Sequence, residues 1–268
     1  MEITTKKIMK KISEFLQEVF SPKKKHINEE NVPKKQLEIV FFEKTDIGVK
    51  KSTLNNEDWV GNFMSDNGHA FVLCDGLGGH RAGEVASALA GDIVKKCFTR
   101  YAYLNTTTAL EDCFEQANST VFKASVQYDG LMGMGTTMVM AVVKDEKVYY
   151  AHAGDSRLYH YVAKEKALHQ KTKDDVTTSE HYKGQEFISN AIGIEEFIKP
   201  NIHEPITPSN KDIIMLCSDG LFNMITPEKL LEVLTSEISI TEKGDLLVDM
   251  ANATGGDDNI SVQLIEFL

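Results

Sequence analysis

The sequence predicts one large α+β domain rich in β-strands, and three observations carry that expectation. Its 268 residues can bury a substantial core, and about 230 to 250 of them would suit a β-rich sandwich. Short apolar or β-branched runs at 37–42, 70–74, 137–143, 148–153, 157–162, 212–217 and 260–267 read as strands. Between them, segments with apolar residues at three-and-four spacing read as helices.

Charge and cysteine usage narrow the class. The chain carries 29 basic and 40 acidic residues, a net of -11, which disfavours non-specific attraction to nucleic acid or anionic membrane. Cys74, Cys97, Cys113 and Cys217 form no CxxC pair and sit in apolar patterns, as reduced, core-packed thiols of a cytoplasmic protein would. No apolar run approaches the roughly 18 residues that span a bilayer, and no signal-peptide h-region opens the chain.

Taken in order, residues 1–36 hold nine lysines against five glutamates, a net of +4, whereas the remaining residues carry -15. They are expected to form an extension to a domain spanning 37–268. Ile8, Ile12, Phe15, Leu16, Val19 and Phe20 recur at helical spacing before Pro22 and the run Lys23 to Lys25. A helix packed on its own domain, a mobile extension, and a partner- or membrane-docking helix all fit.

The strand near 37–42 leads through a polar loop to Asn56-Glu57-Asp58. The strand 70–74 then ends at Asp75, followed by Gly76, Leu77, Gly78, Gly79 and His80. Helices are expected from Arg81 onward and around Leu110 to Phe122. The runs 137–143 and 148–153 form a hairpin about a polar tip, and the turn Gly154-Asp155-Ser156 leads to the strand 157–162. Residues 164–200 are polar and weakly periodic, so an irregular excursion is expected, serving either as a connector or for substrate contacts.

The strand 212–217 runs into Ser218-Asp219-Gly220, and Thr226-Pro227-Glu228 opens a helix with a hydroxyl cap and proline at its first position. A further helix is expected over 244–253. Gly255-Gly256-Asp257-Asp258-Asn259 then feeds the last strand.

Glu57, Asp58, Asp75, Asp155, Asp219 and Asp258 thus each flank an apolar strand. Any single acid at a turn is ordinarily structural. Their repetition at strand ends, without a histidine or cysteine ligand set, points to an oxygen-rich site for a hard cation such as Mg2+ or Mn2+ rather than zinc. Were they to converge, carboxylates about 4 Å apart would repel by about 4 kcal/mol per pair at an effective dielectric of 20, which bound cations would offset.

Asn-Glu-Asp at 56–58, Asp-Gly-Leu-Gly-Gly-His at 75–80, Met-Gly-Thr-Thr at 134–137, Gly-Asp-Ser-Arg at 154–157, Ser-Asp-Gly-Leu at 218–221 and Asp-Asn-Ile-Ser at 258–261 occur in one order. In that order and over about residues 40–268 the chain resembles the metal-dependent serine/threonine protein phosphatases of type 2C, the PPM family, especially its bacterial members. The resemblance implies a four-layer α/β/β/α sandwich, two antiparallel sheets flanked by helices, with a binuclear metal site at one end. It implies that Asp75 bridges two Mg2+ or Mn2+ ions, that Glu57 and the Gly76 carbonyl complete one, and that Asp219 and Asp258 serve the other. Asp155, with Asp219, would add a weaker third site, and Asp58 would hold metal-bound water. A metal-activated bridging water would attack phosphoserine or phosphothreonine on a protein targeted by a serine/threonine kinase.

Two departures stand out. Family members usually have an arginine shortly before Asn-Glu-Asp that grips phosphate, where this chain offers Lys50, Lys51, Ser52 and Thr53. Lys51 or Lys50 would supply charge without a bidentate fork. Leu77 stands where many eukaryotic relatives place a histidine as general acid, leaving His80 as the nearest alternative and a helix-capping role as its plain one. Cys74 and Cys217 have no basic neighbours in sequence to activate a thiol, so a cysteine-phosphatase reading is set aside. The rival functions are a catalytically inactive type 2C-like binding module and a hydrolase of small phosphorylated molecules.

Overall fold

The computed structural model describes residues 37–268 other than 53, 78–81 and 180–184. The helix expected within 8–20, the lysine run and His80 lie outside the described residues. Thirteen strands are described: β1 (Ile39–Asp46), β2 (Asp58–Ser65), β3 (Gly68–Leu77), β4 (Gly135–Thr136), β5 (Met138–Lys144), β6 (Lys147–Ala153), β7 (Arg157–Val162), β8 (Ala167–Gln170), β9 (Val176–Ser179), β10 (Gln185–Ile188), β11 (Asn201–Ile202), β12 (Ile213–Cys217) and β13 (Ile260–Phe267). The helices are α1 (Ala82–Arg100), α2 (Thr106–Gln127), a short α3 (Asp219–Phe222), α4 (Pro227–Thr235) and α5 (Ile240–Thr254).

The strands pair antiparallel into two sheets, ordered β1-β13-β12-β7-β8 and β11-β6-β5-β3-β2, with β4 beside β3 and β9-β10 a separate hairpin. The period-two geometry of a strand explains why their sequences read as unbroken apolar runs. Phe71, Leu73, Val139 and Ala141 of one sheet meet Leu158, Ile214, Leu216 and Ile265 of the other in the central core. The alternate residues Tyr159, Ile213, Met215, Val262 and Leu264 turn outward and are covered by Leu230, Val233, Leu234, Leu247 and Val248 of α4 and α5. On the opposite outer face α1 packs on β2 and β3, and α2 packs on α1. The result is the expected α/β/β/α layering.

Local signals account for several boundaries. Asn105 caps α2 by accepting the Thr108 N–H at 2.9 Å. Ser239 and Glu242 form a capping box that starts α5 four residues earlier than expected. Thr226 is the residue before α4, but its hydroxyl makes no capping bond. The free cysteines are all buried, and burial pushes the Cys217 thiol up to about 12, so the core role holds.

Three sequence expectations need correction. Residues 58–65 form a strand rather than the end of a polar loop, because Val60, Phe63 and the backbone of this edge pair with β3. Asp75 does not end its strand: β3 continues through Gly76 and Leu77, which pair with Thr136 and Gly135. The excursion at 164–200 contains β8 and the β9-β10 hairpin, whose pairing comes from tertiary context rather than from apolar periodicity.

Candidate active site

The antiparallel register brings five element ends to one edge of the two sheets. Glu57 precedes β2, Asp58 is its first residue, and Asp58 lies directly across from Asp75 on β3. Asp155 sits in the turn between β6 and β7, Asp219 opens α3 after β12, and Asp258 stands two residues before β13. A cavity of about 180 Å3 there is lined by Lys51, Glu57, Asp75, Gly76, Asp155, Asp219 and Asp258, together with Leu77, Ile188 and Asn259. Asp58 lies behind this lining, 9% exposed.

Close backbone approach shapes the floor. The Gly76 N–H donates to the Glu57 carbonyl at 3.1 Å. A Cβ on Gly76 would fall 2.3 Å from the Gly83 carbonyl oxygen, and one on Gly83 would fall 2.8 Å from Glu57 Oε1. Side-chain-free residues at both positions let the first turn of α1 press against β3 and leave room for the Glu57 carboxylate. Asn259 ties the remaining walls together, accepting the Glu57 N–H at 2.9 Å and donating to the Ile47 carbonyl at 2.8 Å. Thr137 Oγ1 accepts the Asp75 N–H at 3.0 Å and lies 2.7 Å from Ser156 Oγ.

The carboxylates are short of positive charge. Burial, reinforced by Asp58, Asp219, Asp155 and Asp258, pushes Asp75 well above the ordinary carboxylate range. Burial and the neighbouring Asp258 and Asp155 raise Asp219 to about 6, against the pull of Lys51. Burial raises Asp58 to about 7 against the pull of the nearby Ser261 and Ser218 hydroxyls. Ser218 Oγ donates to Asp58 Oδ2 at 2.9 Å, and the buried Oδ1 has no partner. Burial likewise raises Glu57 and Asp155.

Among the described residues Lys51 is the one basic side chain in the lining, and it pairs with Asp258. Burial works to lower its pKa, but the bond to Asp258 and the charges of Asp258, Glu57 and Asp75 outweigh this and raise it. Lys50 points elsewhere, pairing with the exposed Asp257 at 2.6 Å. Among the described residues no three histidine, cysteine or acidic side chains form a ready-made ion cage. The donor set nevertheless suits hard cations: among the described residues five lining carboxylates stand against one ammonium, and Asp58 carries an orphaned oxygen.

All six sequence-predicted acids therefore gather at one sheet edge, with Asp58 and Asp75 inside strands rather than in flanking turns. Asn259, Ser218 and Thr137 lay within recognised motifs, though no spacing argument gave them a task. Gly83 and Ile188 carried no sequence signal. Among the described residues the lining contains no histidine.

A family model for protein phosphatase 2C matches residues 49–258. The chain is 33% identical over 231 residues to the "Serine/threonine phosphatase stp" of Listeria monocytogenes, covering 79% of this chain and 90% of that protein. It is 32% identical over 239 residues to "Protein phosphatase PhpP" of Streptococcus pneumoniae, covering 82% and 94%. The serine/threonine phosphatase Stp1 from Staphylococcus aureus superposes with a TM-score of 0.76 at 28% identity, over 90% of this chain and 99% of that one. The S. agalactiae serine/threonine phosphatase does so at 0.72 and 28%, over 85% and 99%. With a family match over most of its length, and with the motif acids of that likeness gathered around one cavity, the chain belongs to the protein phosphatase 2C family.

Proposed function

We propose that the chain is a metal-dependent protein phosphatase that hydrolyses phosphoserine and phosphothreonine on other proteins. The observation that carries this reading is the cavity of five carboxylates and one ammonium in a protein phosphatase 2C domain. The family is metal-dependent, using Mg2+ or Mn2+. Glu57, Asp75 and the Gly76 carbonyl would hold one ion, Asp75, Asp219 and Asp258 a second, and Asp155 with Asp219 a weaker third. Bound there, the cations supply a water acidified toward neutrality and neutralise charge on the phosphoryl oxygens.

The chain's own residues provide the rest. Asp58, fixed by Ser218, orients the attacking water from behind the lining. Lys51 contributes a point charge to a phosphoryl oxygen, reached when Asp258 is taken up elsewhere. With Leu77 in the lining where many eukaryotic relatives have a histidine, the leaving serine or threonine oxygen takes its proton from water. The substrates would be targets of a serine/threonine kinase, and residues 1–36 would be an extension to the catalytic domain at 37–268.

The test is release of phosphate from a phosphothreonine peptide in Mn2+, against EDTA and Asp219→Asn. Hydrolysis by the wild type at least about 100-fold above the variant is expected, since a lost electrostatic stabiliser typically costs that much. Equal rates would sink the enzyme reading in favour of a binding module. A free nucleotide or sugar phosphate outrunning every phosphopeptide would favour the small-molecule reading.

A further inference from the structure

Asp175 stands outside the cavity lining, yet three segments converge on its carboxylate. Oδ2 accepts the Gly154 N–H at 3.2 Å, Asn190 Nδ2 at 2.9 Å and Asn201 Nδ2 at 2.8 Å, while Oδ1 accepts Asn201 Nδ2 at 3.0 Å. Its backbone extends the junction. The Asp175 N–H donates to the Gly154 carbonyl at 3.0 Å, and the Ser189 N–H donates to the Asp175 carbonyl at 2.7 Å. These donors are neutral, so the carboxylate is spent on geometry rather than on an ion pair.

What it joins matters for the cavity. Gly154 immediately precedes Asp155, and it is gripped through both its N–H and its carbonyl at φ +104°, where a Cβ would fall 2.7 Å from Thr137 Cβ. Ser189 and Asn190 follow Ile188, the residue through which β10 forms a cavity wall. Asn201 belongs to β11 and pairs with His152 on β6. The two residues before Asp175 are anchored as well. The Lys173 carbonyl accepts His152 Nε2 at 2.8 Å, and Asp174 takes a forked bond from Arg157. Asp175 therefore sits on a fixed base and spans from the Asp155 turn to the Ile188 wall.

We infer that Asp175 is a positioning residue that sets the opening between Asp155 and Ile188, and so how well a phosphorylated polypeptide, rather than a small phosphate ester, enters the cavity. The inference rests on the phosphatase reading. A small ester needs only to deliver its phosphate to the carboxylates. A polypeptide must also pass its backbone between the two walls.

Asp175→Ala removes the junction. Asp175→Asn keeps an acceptor at the Oδ2 position for Gly154, Asn190 and Asn201 and gives up only the Oδ1 contact with Asn201, so most of the junction survives while charge is lost. The measurement is the ratio of kcat/KM for a phosphothreonine peptide to that for p-nitrophenyl phosphate, in Mn2+. The ratio should fall about 10-fold in Asp175→Ala, as small displacements of positioning groups cost rate, and stay within about twofold of wild type in Asp175→Asn. A general loss of folded protein would lower both rates together and leave the ratio unchanged, which would overturn the inference, as would no change at all. If Asp175→Ala does not fold, Asn190→Ala should move the ratio in the same direction, and an unmoved ratio there is equally fatal. Failure of the phosphatase reading shows in the wild type before any substitution. Hydrogen exchange at the Gly154 amide, read without substrate, should quicken about 10-fold when its acceptor is removed, in Asp175→Ala or, if that variant does not fold, in Asp175→Gly. An unchanged rate rejects the inference whatever the activity.

Discussion

Two buried carboxylates at different places in this molecule are provided for in opposite ways. Asp212, 2% exposed, accepts His160 Nε2 at 3.0 Å, the Ala163 N–H at 2.9 Å and the Ser209 N–H at 2.9 Å. Asp58, 9% exposed, has one hydroxyl donor on Oδ2 and none on Oδ1, and burial, reinforced by the charges of Asp219 and Asp258, pushes it up to about 7. The first is a carboxylate completed by the protein, and the second belongs to a group left incomplete. A fold that can supply three donors at Asp212 and supplies one at Asp58 leaves room for cations at the latter.

The strongest way to break that comparison is to neutralise the centre of the incomplete group. Asp75→Asn should lower kcat/KM for a phosphopeptide by about 10³-fold, because a metal ligand and the electrostatic stabilisation it organises are lost together. The same change should leave the EDTA-treated protein at least as stable in a urea melt, since it removes a carboxyl whose charged form burial and four neighbouring acids disfavour. A marked drop in metal-free stability would show that Asp75 is structurally completed after all. Asp212→Ala should do the reverse. Leaving three donors unpaired should cost about 3 kcal/mol of unfolding free energy, with the kcat of the folded fraction unchanged.

This contrast also marks what the sequence made legible. Asp155 and Asp219 beside glycine, and Asp258 just before the last strand, were visible because apolar runs stop or start sharply there. That Asp58 and Asp75 are cross-strand partners was not, since register depends on pairing between 58–65 and 68–77, and the first of these carried no strand expectation. The helices emerged well from their periodicity, whereas α5 began early because a capping box needs only Ser239 and Glu242, outside the apolar stripe. The β9-β10 hairpin had no periodic signature. It stands on Asp175, Asn190 and Asn201, residues far apart in sequence whose hydrogen bonds no local pattern announces.

Lys51 offers a finer test, because it is the ammonium that partly completes the cavity. Lys51→Met should raise KM for a phosphopeptide about 10-fold, the worth of one charge-assisted contact, while leaving kcat for p-nitrophenyl phosphate within severalfold. It should also tighten Mn2+ binding measured by calorimetry about two- to threefold, since Asp258 would no longer be engaged by a part-exposed ion pair. Weaker Mn2+ binding would mean that Lys51 organises the ligands rather than competing for one.

The smallest effect expected is on pH dependence, and its sign follows from the raised acids. Asp219 and Asp58 hold protons up to about 6 and about 7 in the metal-free fold, above their unfolded values. Between about pH 4 and 7 the folded metal-free protein therefore binds more protons than the unfolded chain, so these groups erode its stability as pH rises. Cations must displace those protons, so their affinity increases over the same range. The rise in Tm on adding saturating Mn2+ to EDTA-stripped protein should accordingly be larger at pH 7.5 than at pH 5.5, by a few degrees. An equal rise at both values would mean that these carboxyl groups are already ionised in the metal-free fold, and that the protein completes them as fully as it completes Asp212.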